Sequence, residues 1–217
     1  MKVAVIGANG QIGQHTIKKL QEDKNHEAIA IVRKKEQQES FENQGVTSKL
    51  ANLEDSVDSI VEAIKGADAV VFTAGSGAKT GPDKTLTIDL DGAIKTVEAA
   101  EKAGIKKYIM ISAFQANNRE MFNAAEGMKP YYVAKHYADE FLKLSKLDYT
   151  IIRPGGLLND AGTGKVKVGD NNIEAGSIPR EDVATTIITA LDKTNLKNKS
   201  FDLVSGDQLI TDALTKI

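Results

Sequence analysis

Five strand-like residues, Lys2-Val3-Ala4-Val5-Ile6, run directly into Gly7-Ala8-Asn9-Gly10-Gln11-Ile12-Gly13. A short apolar strand that opens through three spaced glycines into a helix is a demanding pattern. One glycine makes the sharp turn, one lets a backbone approach a pyrophosphate, and one lets helix and strand pack closely. The helix start then offers unpaired N–H groups and the positive end of its dipole to phosphate. Glycine clusters also make plain turns, but the position, the flanks and the rest of the chain agree with the phosphate reading.

The remaining sequence repeats the alternation that the first unit begins. Ala28–Val32, Ala67–Phe72, Tyr108–Ile111 and Tyr149–Ile152 are short runs rich in Val and Ile, as expected of parallel strands covered on both faces. Val46–Leu50 is a weaker strand predicted near a sheet edge, and Phe201–Val204 a seventh. Between them Gln11–Glu22, Asp55–Lys65, Thr85–Ala103 and Tyr131–Leu144 carry apolar residues at helical spacing. The order predicts an α/β fold, a doubly wound parallel sheet of the Rossmann type flanked by helices, with a small C-terminal substrate lobe and a single domain over 1–217. Two segments break the rhythm. Phe114–Pro130 has no period, and Gly155–Pro179 holds six glycines and no long apolar run. Loops that follow strand C-termini border the ligand crevice in such sheets, so both are candidate substrate regions, with ordinary surface loops as the alternative.

Composition removes several function classes. There is no Cys and only three His, which excludes disulfides and thiolate metal sites, so no metal is expected. Twenty-eight basic against 30 acidic residues leave a formal charge of -2, with no electrostatic reason to expect nucleic acid or an anionic membrane as partner. No apolar run approaches the ~20 residues of a membrane helix, and Met1–Gly7 does not read as a secretory signal. The expectation is a soluble cytoplasmic protein, monomer or homodimer, acting on a small-molecule substrate.

The second strand bears on which dinucleotide binds. An acidic residue at its end would accept from a ribose 2′-OH, but the strand ends Ile31-Val32-Arg33-Lys34-Lys35. A carboxylate would repel a 2′-phosphate, whereas a guanidinium can grip it in a fork. Arg33 therefore predicts NADP over NAD, against the alternative of a solvated basic helix start. Asn52 and Leu53, after the third strand, are placed beside the adenine; Asn52 can equally cap a helix or make a turn. Thr73, Ala74 and Gly75, after the fourth, are small enough to let backbone approach the cofactor. Gly162-Thr163-Gly164-Lys165 resembles a phosphate-loop fragment but lacks the Ser/Thr that should follow, Val166 standing there instead.

Tyr131 and Lys135 are four residues apart on a predicted helix, hence on one face. A Lys ammonium beside a phenol would lower the phenol pKa, and the Tyr could then exchange a proton with an alcohol or carbonyl. Ser112, at the end of the fifth strand, could hydrogen-bond the same oxygen. The alternatives are a cofactor-binding Lys with an idle Tyr, or surface residues; a Ser at a strand end is often structural. Tyr132 should face elsewhere. His15 and His136 read as surface helix residues, and Asp139 and Glu140 as a solvated face.

With these residues in place the chain resembles the atypical, NmrA-like group of the short-chain dehydrogenase/reductase superfamily, often called NAD(P)-dependent epimerase/dehydratase. The matching pieces are Gly7–Gly13, Val71–Gly77, Tyr108–Ala113, Tyr131–Leu142, Asp148–Leu157 and Ser177–Ala184. The resemblance implies NADP binding and active-site roles for Ser112, Tyr131 and Lys135, with Lys135 also on the nicotinamide ribose. It places Arg153, Pro154 and Gly155 beside the nicotinamide. It further implies an oxidoreductase passing hydride between nicotinamide and a small carbonyl, quinone or flavin-like acceptor. Relatives include non-catalytic NADP(H) sensors and epimerases, so these readings stay open. The large substrate domain of sugar-nucleotide epimerases has no counterpart in this sequence, and relatives usually carry Asp where Asn52 stands.

Overall fold

The computed structural model describes residues 1–77, 80–124 and 127–217. Part of the unpatterned segment 114–130, at 125 and 126, therefore lies outside the described residues. Strand β1 (Lys2–Ile6) leads through the glycine turn into α1 (Gln11–Glu22), and β2 (Glu27–Val32), α2 (Lys35–Glu42), β3 (Thr47–Leu50), α3 (Val57–Ile64) and β4 (Ala69–Phe72) follow. After β4 come a short turn of helix α4 (Pro82–Lys84), a π-helical turn (Thr85–Leu90), α5 (Asp91–Lys102), β5 (Lys107–Ile111), α6 (Met121–Ala124), α7 (Lys129–Leu144) and β6 (Asp148–Pro154). The C-terminal part adds β7 (Gly156–Leu158), β8 (Lys165–Gly169), β9 (Ser177–Pro179), α8 (Arg180–Asp192), β10 (Lys199–Ser205), β11 (Gln208–Leu209) and α9 (Ile210–Thr215).

Seven strands pair in parallel in the order β3-β2-β1-β4-β5-β6-β10, and β8 and β11 extend the sheet antiparallel beyond β10. All seven parallel strands thus end on one edge, and the chain reverses its direction of travel between β1 and β4, where such sheets bind ligands. The period of two along each strand divides the core. Val3, Val5, Val71 and Ile109 face Ile17 and Leu20 of α1 and Val183 and Ile187 of α8. Ala4, Ile6, Val70 and Met110 face Ile60 of α3, Val97 of α5 and Leu142 of α7. Burial on both faces is why these strands read as unbroken apolar runs.

Two predicted elements differ from the structure. The single helix expected over Thr85–Ala103 begins instead as the π turn, which buries Thr85 and Asp89 before α5 continues. Its extra residue per turn rotates Asp89 inward, where its Oδ2 accepts from Ser76 N–H at 3.1 Å. The segment 155–179 contains three strands rather than none. They are three to five residues long, and in β8 only Val166 is fully buried while Lys165 and Lys167 face out. Such short or alternating strands leave no long apolar run to find. β7 and β9 form a separate two-stranded parallel sheet at the mouth of the main one.

Candidate functional site

The glycine turn does what its spacing demands. Gly7 sits at φ +82°, and a Cβ there would come within 2.7 Å of the Ala74 backbone. A Cβ on Gly13 would lie 2.3 Å from the Gly7 carbonyl oxygen, so the first turn of α1 rests directly on the β1 turn. Gly10 is the N-cap of α1 and no side chain caps it. The Gly10 amide bonds back to the Gly7 carbonyl at 2.9 Å and the next backward bond runs from Gln14 to the Gly10 carbonyl at 2.8 Å, which leaves the amides of Gln11, Ile12 and Gly13 for an anion.

A cleft of about 280 Å³ starts at this helix and crosses the ends of β1, β2 and β3. Gly7, Asn9, Gly10, Arg33, Asn52, Leu53, Thr73, Ala74 and Gly75 all line it, as does Ser76 from the same run of small residues after β4; Gln37 and Ile88 line it too and carry no signal legible from spacing alone. Gln11, Ile12 and Gly13 do not. They contribute amides at its end, and the Ile12 side chain is core. Arg33 is exposed at the head of α2, which begins at Lys35. Asn52 makes the turn open to it, its Oδ1 accepting from Glu54 N–H at 3.2 Å, and it also lines the cleft. Thr73 ties β4 to the glycine turn, its Oγ1 donating to Ile6 O at 3.0 Å. The uncapped helix start, the glycine cradle and Arg33 at the cleft edge together fit a dinucleotide.

The second constellation lies beyond Ser76, where α7 crosses the end of β5. Lys135 is buried and donates from Nζ to the Ile111 carbonyl at 2.8 Å. The next residue, Ser112, is buried at 4% exposure, and its Oγ has no hydrogen-bond partner among the described residues. Tyr131 is half-buried one turn before Lys135. The structure thus sets Ser112 and Lys135 together at one strand end, with Tyr131 one turn earlier on α7. It reverses the expected direction for the phenol: burial, then the charge of Asp89, push Tyr131 well above the usual tyrosine range. Burial lowers the Lys135 ammonium, and Asp89 and Asp139 pull it back up.

Several neighbours are not where the sequence puts them. Asp139 is fully buried, not solvated, and its Oδ2 accepts from Arg153 Nε at 2.9 Å. Arg153 is itself 0% exposed, so its side chain is no cleft wall; Pro154 is buried beside it, and Gly155 is packed under the Gly176 carbonyl. His136 is buried, with Nδ1 2.9 Å from Ala116 O. Tyr132 faces the ring of Phe122 at 6.4 Å, away from Lys135. Asp89, Asp139 and Asp202 are buried acids near the site that the sequence reading did not place there. Only Asp202 carries a local signal, an acid inside the apolar run Phe201-Asp202-Leu203-Val204.

Two competing sites are closed. The amides of Gly162, Thr163 and Gly164 already bond to Glu181 and Asp182 carboxylates at 3.0, 2.9 and 2.9 Å. Asp23, His26 and Asp192 form a group of potential metal ligands among the described residues, but each ring nitrogen of His26 faces a carboxylate, at 3.1 and 3.3 Å.

A family model described as NAD(P)H-binding matches residues 7–194, spanning both constellations. The chain belongs to this family. It is 56% identical over 217 residues, all of both chains, to a Bacillus subtilis protein named uncharacterized sugar epimerase YhfK. A solved structure of a candidate NAD-dependent epimerase/dehydratase from Bacillus halodurans covers all of both chains at 42% identity and TM-score 0.92. ChuY of Escherichia coli O157:H7, named an anaerobilin reductase, superposes with TM-score 0.79 at 25% identity over 95% of this chain and 98% of its own. The sheet is accordingly an NAD(P)-binding Rossmann fold of an oxidoreductase- and epimerase-like family, and no described helix is long and apolar enough to cross a membrane. Gly13→Ala is expected to raise the NADPH Kd by at least about tenfold, because overpacking a rigid backbone contact costs about 1–3 kcal/mol. A fluorescence titration checks this, and an unchanged Kd would show that the helix start can shift without loss.

Proposed function

We propose that the protein is an NADP(H)-dependent reductase of a small carbonyl, quinone or flavin-like acceptor. The observation that carries this reading is buried Lys135 bonded at the end of β5 beside the unpartnered Ser112 Oγ, with Tyr131 one turn earlier on α7 and Asp89 bridging to the cleft residue Ser76. Bound NADPH supplies hydride from the nicotinamide. Lys135 is the residue to hold the nicotinamide ribose, by exchanging its Ile111 carbonyl partner for ribose hydroxyls. Ser112 Oγ donates to the acceptor oxygen and orients it. Tyr131 delivers the proton as the oxygen gains charge.

Burial and the Asp89 charge keep Tyr131 protonated, the form a proton donor must have. A phenol that stays protonated through neutral pH is ready to give a proton to a reduced carbonyl, whereas the reverse oxidation needs it as phenolate. The name of ChuY as a reductase supports the same direction. The test is NADPH oxidation across a panel of carbonyls, quinones and flavins. Turnover with at least one supports the reading; tight NADPH binding with none would leave a non-catalytic NADP(H) sensor.

For the cofactor, Arg33 at the far end of the cleft is the residue to meet the 2′-phosphate. Arg33→Asp is expected to weaken NADP binding by about ten- to a hundredfold, the worth of a charge-assisted hydrogen bond, and to leave NAD affinity nearly unchanged. Equal loss for both dinucleotides would overturn the assignment.

A further inference from the structure

Ser112, Arg153 and Asp202 lie in one row across three strands. Ile111 pairs with Ile152 in the parallel register, so Ser112 stands opposite Arg153, and Arg153 is paired with Asp202. Their side chains point to the α7 side of the sheet, where Arg153 meets Asp139. Asp202 is 0% exposed, and its two oxygens reach two different loops. Oδ1 accepts from Gln115 N–H at 2.8 Å and Oδ2 from Asn171 N–H at 2.9 Å. Gln115 follows Ser112 in the first unpatterned segment, and Asn171 lies in the second. Both have left-handed backbones, at φ 51° and 58°, a conformation uncommon for Gln and tolerated by Asn.

Other contacts join the same loops. Asn117 Nδ2 donates to Asp170 Oδ1 at 3.2 Å. Phe114, Ile173 and Val204 form an apolar cluster that takes one residue from each loop and one from β10, two residues beyond Asp202. The carboxylate is therefore the polar half of a two-tier joint, and Arg153 sets a positive charge between it and Asp139.

We propose that Asp202 is a positioning residue that fixes both acceptor-side loops as one body, so that the shape of the acceptor site depends on a single buried carboxylate. That this body borders the acceptor rests on the reductase reading; the coupling of the loops does not. Asn at 202 keeps the size but presents one acceptor and one donor, so it cannot receive both amides.

The test is amide hydrogen exchange on the full chain, parent against Asp202→Asn, with NADPH titration and steady-state kinetics using menadione as probe. Protection at Gln115 and Asn171 is expected to fall together, by at least about tenfold, while NADPH Kd stays within about threefold. With menadione, KM is expected to rise at least about fivefold and kcat to stay within about threefold. Unchanged protection, or loss in one loop alone, overturns the coupling. Protection lost in both loops with KM unchanged removes their role at the acceptor and leaves the coupling standing. If menadione is not turned over, the reductase reading loses that acceptor and the exchange result still decides the coupling. If Asp202→Asn does not fold, the parent decides: its two amides should show protection factors within about threefold of each other, and independent values would overturn the proposal.

Discussion

Tyr131→Phe is expected to lower the turnover number for NADPH-dependent reduction by about 10²–10⁴-fold, the usual contribution of a positioned general acid. NADPH affinity should change by no more than a few-fold. The substitution removes one hydroxyl and keeps the ring, which packs edge-on against Tyr132 at 6.0 Å, so the fold and the cleft across β1–β3 are left alone. The environment of the hydroxyl sharpens the expectation. Burial and the Asp89 carboxylate hold the phenol in its protonated form, so reductive turnover should vary little between about pH 6 and 8. Steady-state kinetics with any accepted substrate checks both statements. Turnover unchanged in the variant would remove Tyr131 from the chemistry and pass proton delivery to another group.

Arg153→Met is expected to destabilise the fold by about 3–5 kcal/mol, the cost of leaving buried charge unpaired. Arg153 Nε bonds to Asp139 at 2.9 Å with both side chains fully buried, and Asp202 stands beside it in register on β10. Removing the guanidinium leaves two buried carboxylates without a counter-charge. The effect has a predictable pH sign. Burial already raises the Asp202 pKa, and Arg153 is one of the influences holding it down. Without Arg153 the folded pKa rises further above the unfolded value. Stability conferred by the protonated acid is then present below the unfolded pKa and lost as pH rises through the folded one. The urea midpoint of Arg153→Met should therefore fall further behind the parent above neutrality than in mild acid. A second change, Asp139→Leu, should recover part of the loss by removing one of the stranded charges. An Arg153→Met protein as stable as the parent would mean that the pair is not ionic.

The fold was legible because its signals are local and repeated. Seven apolar runs, amphipathic intervals and a glycine turn at the right place give the sheet order once connections are right-handed. The cleft was legible for the same reason: Gly7, Asn9, Arg33, Asn52 and Thr73 follow strand ends and line it, and strand ends share one edge. The acids were harder to read. Asp139 follows Tyr131 and Lys135 at helical spacing, yet an acid next to Glu140 reads as surface until Arg153 is found facing it across sequence distance. Asp89 depended on a π turn, a shift of one residue that no helical period reveals. The short strands of 155–179 were hidden by exposure on one face, because a strand half in water lacks the apolar run that marks a buried one.

The two glycine-rich loops of this chain also show where phosphate selectivity resides. Helix α8 opens with Glu181 and Asp182, and those carboxylates occupy the amides of 162–164 from 18 or 19 residues away. Helix α1 opens with no acid in its first turn. One loop is filled by carboxylates of its own chain, and the other keeps its amides open. Free phosphate or sulfate should therefore compete with the dinucleotide at Gly7–Gly13 while leaving 162–164 untouched. What separates the two loops is the charge that the next helix, or its absence, brings to them.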